Sequence, residues 1–129
     1  MIFKYLLFIL LGIFYGCQTG SLTDPGSAVY PVNVHMQNGF DGDSALITID
    51  GQIILKGVFT INPVIVICGS TKIDLHPGYH TIVARLPQDV AVSGTTFIND
   101  EHDLWIGVNY NSATREFIFI VQKDPFLYK

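Results

Sequence analysis

The chain has 129 residues, a formal net charge of −4 and two cysteines, which leaves room for one domain behind any leader it carries. The acidic balance excludes a protein that tracks nucleic-acid phosphates, so no nucleic-acid partner is expected. A mean hydropathy of +0.39 is high for a soluble domain, and its source is concentrated at the front.

Residues 1–16, MIFKYLLFILLGIFYG, hold one early lysine, an apolar run from Tyr5 to Tyr15 broken only by Gly12, and a small residue just before Cys17. Those are the three parts of a secretory signal. As a helix the run would span roughly 16 Å, about half the hydrocarbon thickness of a bilayer, so a removable signal fits better than a permanent span. With residues 1–16 set aside, the remainder is about 44% hydrophobic and carries six basic and eleven acidic side chains, an ordinary soluble composition.

The tetrapeptide Phe14-Tyr15-Gly16-Cys17 resembles the lipobox of bacterial lipoproteins. The resemblance implies that Cys17 carries diacylglycerol through a thioether and becomes the mature N-terminus. Phe14 stands where the family usually has leucine, and Tyr15 where it has a small residue. A plain signal cut near Gly16, leaving Cys17 as a thiol, is the other reading. Two or three acyl chains would hold the domain on a membrane essentially permanently. Gln18, rather than aspartate, follows the cysteine, which in the family leans toward the outer membrane over the inner. Residues 17–28 are small and polar around Asp24-Pro25-Gly26, the composition of a flexible tether, and the folded unit is expected over 29–129.

From Val29 on, β-branched residues dominate. The chain after the leader has 33 Ile, Val and Thr against five Ala and two Glu, so strands are expected and helices are not. Tyr30, Val32, Val34 and Met36 alternate in a first strand, with Pro31 near its start or on an edge. Asn38 to Asp43 is turn chemistry. Ala45–Ile49 and Gln52–Lys56 flank Asp50-Gly51, whose residue types accept the positive φ that a type I′ hairpin turn requires. Gly57 to Pro63 reads as a connection or short strand, Val64 to Cys68 as a buried strand, and Gly69-Ser70 as a turn. Thr71–Leu75 and Tyr79–Leu86 flank His76-Pro77-Gly78, predicting a second hairpin. Pro87 to Gly94 is a polar loop with Val90 and Val92. Thr95–Ile98, Leu104–Tyr110 and Arg115–Val121 complete about seven to eight short strands, the pattern of a single antiparallel β-sandwich. The tail, with Pro125, Phe126 and Tyr128, is apolar enough to pack back on a sheet.

Ser44 to Gly51, followed by Ile73 to Ala84 with its Pro77-Gly78-Tyr79-His80 turn, resembles the PEGA-type β modules of bacterial envelope proteins over about forty residues. That resemblance implies an Ig-like sandwich serving as a surface or spacer module, with no catalytic residues to carry over. Asn62-Pro63 replaces the family's Thr-Pro, and the last forty residues have no counterpart.

Candidate site residues are few. Asp41 and Asp43 could offer oxygens to a calcium ion, although Asp and Gly are also what a tight turn selects. The histidines are scattered without metal-ligand spacing, Cys68 reads as an inert buried thiol, and no nucleophile elbow or paired-carboxylate pattern exists. In Leu104–Tyr110 the apolar set shares one face, which turns Trp105, Gly107 and Asn109 to the other. Trp105 is there either as a ligand contact or as a surface packed by the tail or the Val90 loop. The expectation is a non-enzymatic envelope lipoprotein without a cofactor, a structural or protein-interaction module whose partners are the membrane, through lipid on Cys17, and an envelope protein or glycan. The alternative is a carbohydrate- or cation-binding lipoprotein using Trp105 and the Asp41/Asp43 loop.

Overall fold

The computed structural model describes residues 28–64, 67–87, 92–100 and 102–129. The leader 1–16, Cys17, the tether up to Ser27, Val90 and Glu101 lie outside them. Eight strands run in chain order: β1 (Tyr30–Met36), β2 (Asp41–Ile49), β3 (Gln52–Thr60), β4 (Gly69–Leu75), β5 (Gly78–Arg85), β6 (Val92–Asn99), β7 (Leu104–Asn111) and β8 (Glu116–Gln122). They form two four-stranded sheets, ordered β4-β1-β7-β8 and β3-β2-β5-β6, an all-β sandwich as the β-branched composition predicts.

Alternation builds the core. Val32, Val34 and Met36 of β1, Ile47 of β2, Ile82 and Ala84 of β5, and Ile106 and Val108 of β7 have no exposed surface. Each larger one contributes about 1.5–3 kcal/mol by leaving water. Aromatic rings fill one end of this core: Phe40 lies against Phe59, Tyr110 and Phe117, with centroids 6.0 to 6.3 Å apart. Phe40 was expected in a turn. In fact Asn38-Gly39 alone makes the bend, with Gly39 at φ +94°, where an added Cβ would lie 1.6 Å from the Tyr110 carbonyl oxygen. The chain then drops Phe40 into the core before Asp41 opens β2.

The Asp50-Gly51 hairpin forms as predicted, with φ of +50° and +81° and Ile49 opposite Gln52. Gly57–Thr60 extends β3 beyond the expected Lys56. Three expectations are corrected. His76-Pro77-Gly78 does not close a hairpin: β4 pairs with β1 in one sheet, and β5 pairs with β2 and β6 in the other, so this turn crosses between sheets. Turn residues specify a reversal, and what flanking strands then pair with depends on the whole core. Val64, Ile67 and Cys68, expected in one strand, lie in none, and Ile65 and Val66 are outside the described residues. Val64 is 82% exposed, its N–H donates to Asn62 Oδ1, and Asn62 N–H reaches the Ile67 carbonyl. An Asx turn at Asn62-Pro63 thus takes Val64 out of strand geometry, and Gly69, expected in a turn, begins β4. Finally, Pro31 is near the start of β1, as expected, and β1 sits inside its sheet, antiparallel to β4 but, against the antiparallel pattern expected throughout, parallel to β7.

The strand directions sort the connections. Ala28, the Asp50-Gly51 and His76-Pro77 turns, Asp100 and Asp103 share one end. Residues 37–40, 61–64, 67–68, 86–87 and 112–115 share the other.

Candidate functional site

The inward set Leu104, Ile106, Val108 and Tyr110 is buried as predicted, so Trp105, Gly107 and Asn109 face outward from β7. On β1 the same alternation turns Asn33 and His35 outward, and His35 lies opposite Gly107. Gln37 continues this face just past the strand. The tail returns over it. Trp105 is half-buried and meets the His35 ring edge-on at 5.3 Å, while Phe126 and Tyr128 each lie 5.8 Å from that ring.

A directional hydrogen-bond chain fastens the tail. The Asn38 backbone N–H donates to Asn109 Oδ1 (3.1 Å), and Asn109 Nδ2 donates to Gln37 Oε1 (2.9 Å). Gln37 Nε2 donates to the Tyr128 hydroxyl (2.9 Å), which lies 2.7 Å from His35 Nδ1. With the hydroxyl oxygen already accepting, its proton is free to go to Nδ1, which a neutral imidazole can accept. Burial lowers the His35 pKa and raises that of Tyr128, which keeps both groups in the neutral forms this chain needs. Gln37, 6% exposed, lies directly over Gly107, where an added Cβ would meet its amide at 2.4 Å. The cover on this glycine is therefore Gln37, and the tail rings Phe126 and Tyr128 lie against His35, which in turn meets Trp105.

Beside the clasp an open hollow of about 500 Å³ is lined by Gln37, Asn38, Asn109, Ser112, Ile118 and Ile120. None of these side chains is charged, so the hollow suits neutral polar groups. On the second sheet's outer face, Leu46 sits between Lys56 and Arg85 at the floor of a hollow of about 560 Å³.

Asp41 and Asp43 lie on the other sheet, at the end where β2 begins, and Trp105 is near the opposite end of β7, so the structure does not bring them together. Asp43 Oδ2 accepts the Asp41 N–H at 3.0 Å across the bulged start of β2, and Asp43 also borders a hollow with Ser112 and Arg115. Among the described residues no three His, Cys, Asp or Glu side chains converge as metal ligands. Cys68 donates to the Gln37 carbonyl at 2.9 Å, and burial raises its pKa, which keeps it a thiol. His80 bridges the tether-side turns, its Nδ1 2.6 Å from Asp50 Oδ2 and its Nε2 2.7 Å from the His76 carbonyl oxygen.

The sequence reading missed His35 and Gln37 as partners of the tail. The signal was present, since the alternation that buries Val32, Val34 and Met36 must turn Asn33, His35 and Gln37 toward the face that carries Trp105. Comparison with protein-family models, curated proteins and solved structures returns no match.

Proposed function

We propose that this chain is a membrane-anchored envelope lipoprotein whose sandwich acts as a non-enzymatic structural or protein-interaction module. The observation that carries the reading is the tetrapeptide Phe14-Tyr15-Gly16-Cys17 closing an apolar leader. The fold is compatible with it. Ala28 enters at the end with the Asp50-Gly51 and His76-Pro77 turns, where the His76 ring nitrogen Nδ1 lies 3.3 Å from the Ala28 carbonyl oxygen. A lipid on Cys17 would then hold that end toward the membrane and present residues 37–40, 61–64 and 112–115 away from it.

A Cys17→Ser variant followed by detergent partitioning and intact mass tests the anchor. The parent should enter the detergent phase with the added mass of its acyl chains, and the variant should lose both. A variant that still partitions, with the same mass as the parent apart from the substitution, overturns the anchor.

A carbohydrate-binding lipoprotein is the second reading, favoured by the uncharged, amide-lined hollow at Gln37, Asn38 and Asn109. Trp105 does not line that hollow, and Asp41 and Asp43 are on the other sheet, so neither adds to it. A hit on a glycan array, lost in Asn109→Ala, would support this reading over the first.

A further inference from the structure

The two sheets have four edge strands, β4, β8, β3 and β6, and each exposes a row of backbone groups that another strand could pair with. Three carry features that discourage this. The β3 ladder is broken by register shifts at Gly42 and at Ile54, and Lys56 stands near its centre. Lys72 and Asp74 put alternating charges on β4. β6 carries Ser93-Gly94-Thr95-Thr96 at its centre, where a glycine weakens a strand and parts the exposed Val92 from Ile98.

β8 has none of these. Its sequence is Glu-Phe-Ile-Phe-Ile-Val-Gln, its register with β7 is unbroken from Glu116 to Gln122, and no Gly, Pro or charge interrupts residues 117–121. Ile118, Ile120 and Val121 are 51%, 43% and 41% exposed. Among the described residues, β8 pairs with β7 alone. The strand is also nearly symmetric about Phe119. Laid antiparallel on a second copy centred there, Ile118 faces Ile120 of the other copy twice, Phe117 faces Val121 twice, and Glu116 faces Gln122 twice. Each residue meets a like neighbour on its own face of the sheet, as cross-strand pairing requires. The next pair out, Arg115 with Lys123, would set two cations together. Arg115 has already left the strand at φ +59°, and Lys123 is neutralised by Asp100 at 3.0 Å.

We infer that β8 is a homodimer seam: two copies of this chain pair their β8 edges antiparallel about Phe119, joining the β4-β1-β7-β8 sheets into one eight-stranded sheet. The interface is isologous, so it closes at two copies. A seven-residue edge is a small interface, so a dissociation constant in the micromolar range is expected. The inference does not depend on the lipid anchor.

Sedimentation of the purified chain over about 1 to 100 μM should show a concentration-dependent dimer. Ile118→Lys with Ile120→Lys should sediment as a monomer throughout while retaining the parent circular dichroism and Tm. Oxidative crosslinking in a Cys68→Ser background fixes the register. Co-produced Ile118→Cys and Ile120→Cys chains should give at least five times the mixed crosslink that Ile118→Cys gives with itself, because directly opposed Cβ atoms lie about 4.5–5.5 Å apart and diagonal ones about 7–8 Å. A parent that remains monomeric, a dimer that survives the lysine pair, or equal crosslinking of the two combinations overturns the inference. Binding of β8 to a different protein by a monomeric parent overturns it too.

Discussion

The sandwich has two outer faces built on the same principle and finished differently. On the β4-β1-β7-β8 sheet the tail returns across His35, whose ring meets Trp105, and is fastened by Asn109, Gln37 and Tyr128. On the β3-β2-β5-β6 sheet, Ile53, Val58, Tyr79, Val92 and Ile98 remain between 49% and 77% exposed, and among the described residues no polar chain covers them. Both faces alternate with a buried core face, so strand periodicity alone does not distinguish them. The difference comes from seven residues after the last strand, which makes the first face a third layer and leaves the second as bare sheet.

The strongest way to break this comparison is to remove its cause. Deleting residues 125–129 should destabilise the fold by about 2–3 kcal/mol through loss of partly buried Phe126 and Tyr128 and release of His35, the ring that packs on Trp105. Because Trp105 is the single tryptophan, a red-shifted emission spectrum reads the undocking directly. An unshifted spectrum would show that the tail is not the cover.

Paired glycine substitutions come next. Gly107→Ala on the covered face must displace the buried Gln37 amide, now at 2.4 Å, and should cost about 1–3 kcal/mol through its lost hydrogen bonds. Gly94→Ala on the bare face meets Ile82 O and Val83 Cγ2 at 3.0 and 3.1 Å, contacts that ask a few tenths of an ångström of their neighbours. Denaturant midpoints should separate the two by about 1 kcal/mol or more. Equal effects would erase the distinction between the faces.

Acidification sharpens the comparison further. His35 has its pKa lowered by burial, so the unfolded chain takes up the proton more readily than the folded one. The stability tied to neutral His35 is intact above pH about 6.5 and is lost progressively as pH falls through and below that value. Tm measured from pH 7.5 to 5 should decline, and His35→Phe should flatten the decline over this window. Asp50 acts lower on the scale: the His80 hydrogen bond, then the Thr81 N–H, lowers its pKa, so its contribution persists until pH falls through the carboxylate range. The smallest effect belongs to the bare face, where Tyr79→Ser or Ile98→Ser should change stability by no more than about 0.5 kcal/mol.

Much of this was legible in the residues. The inward set of β1 and β7, the Asp50-Gly51 hairpin and the return of the tail all follow from period-2 alternation and residue chemistry, which are local. What failed was non-local. The Pro77-Gly78 turn is visible in sequence, but whether its strands pair with each other or cross to separate sheets is decided by which partners bury Ile73 and Ile82. Val64 to Cys68 has strand composition, yet a side-chain hydrogen bond from the Asn62-Pro63 turn leaves Val64 exposed and outside any strand. Trp105 was correctly turned outward, whereas its neighbours His35 and Tyr128 come from β1 and the tail, 93 residues apart in sequence. No local pattern joins them.

The position of β1 has a consequence for timing. It sits inside its sheet, between β4 and β7, and the face above it is closed by the final residues of the chain. The first strand to be synthesised therefore waits on the seventh for one side of its ladder and on Tyr128 for its cover. Such distant pairings form slowly. A chain exported across a membrane, as proposed above, would emerge with its earliest strand still unpaired on the β7 side, so the topology itself delays folding until translocation is nearly complete.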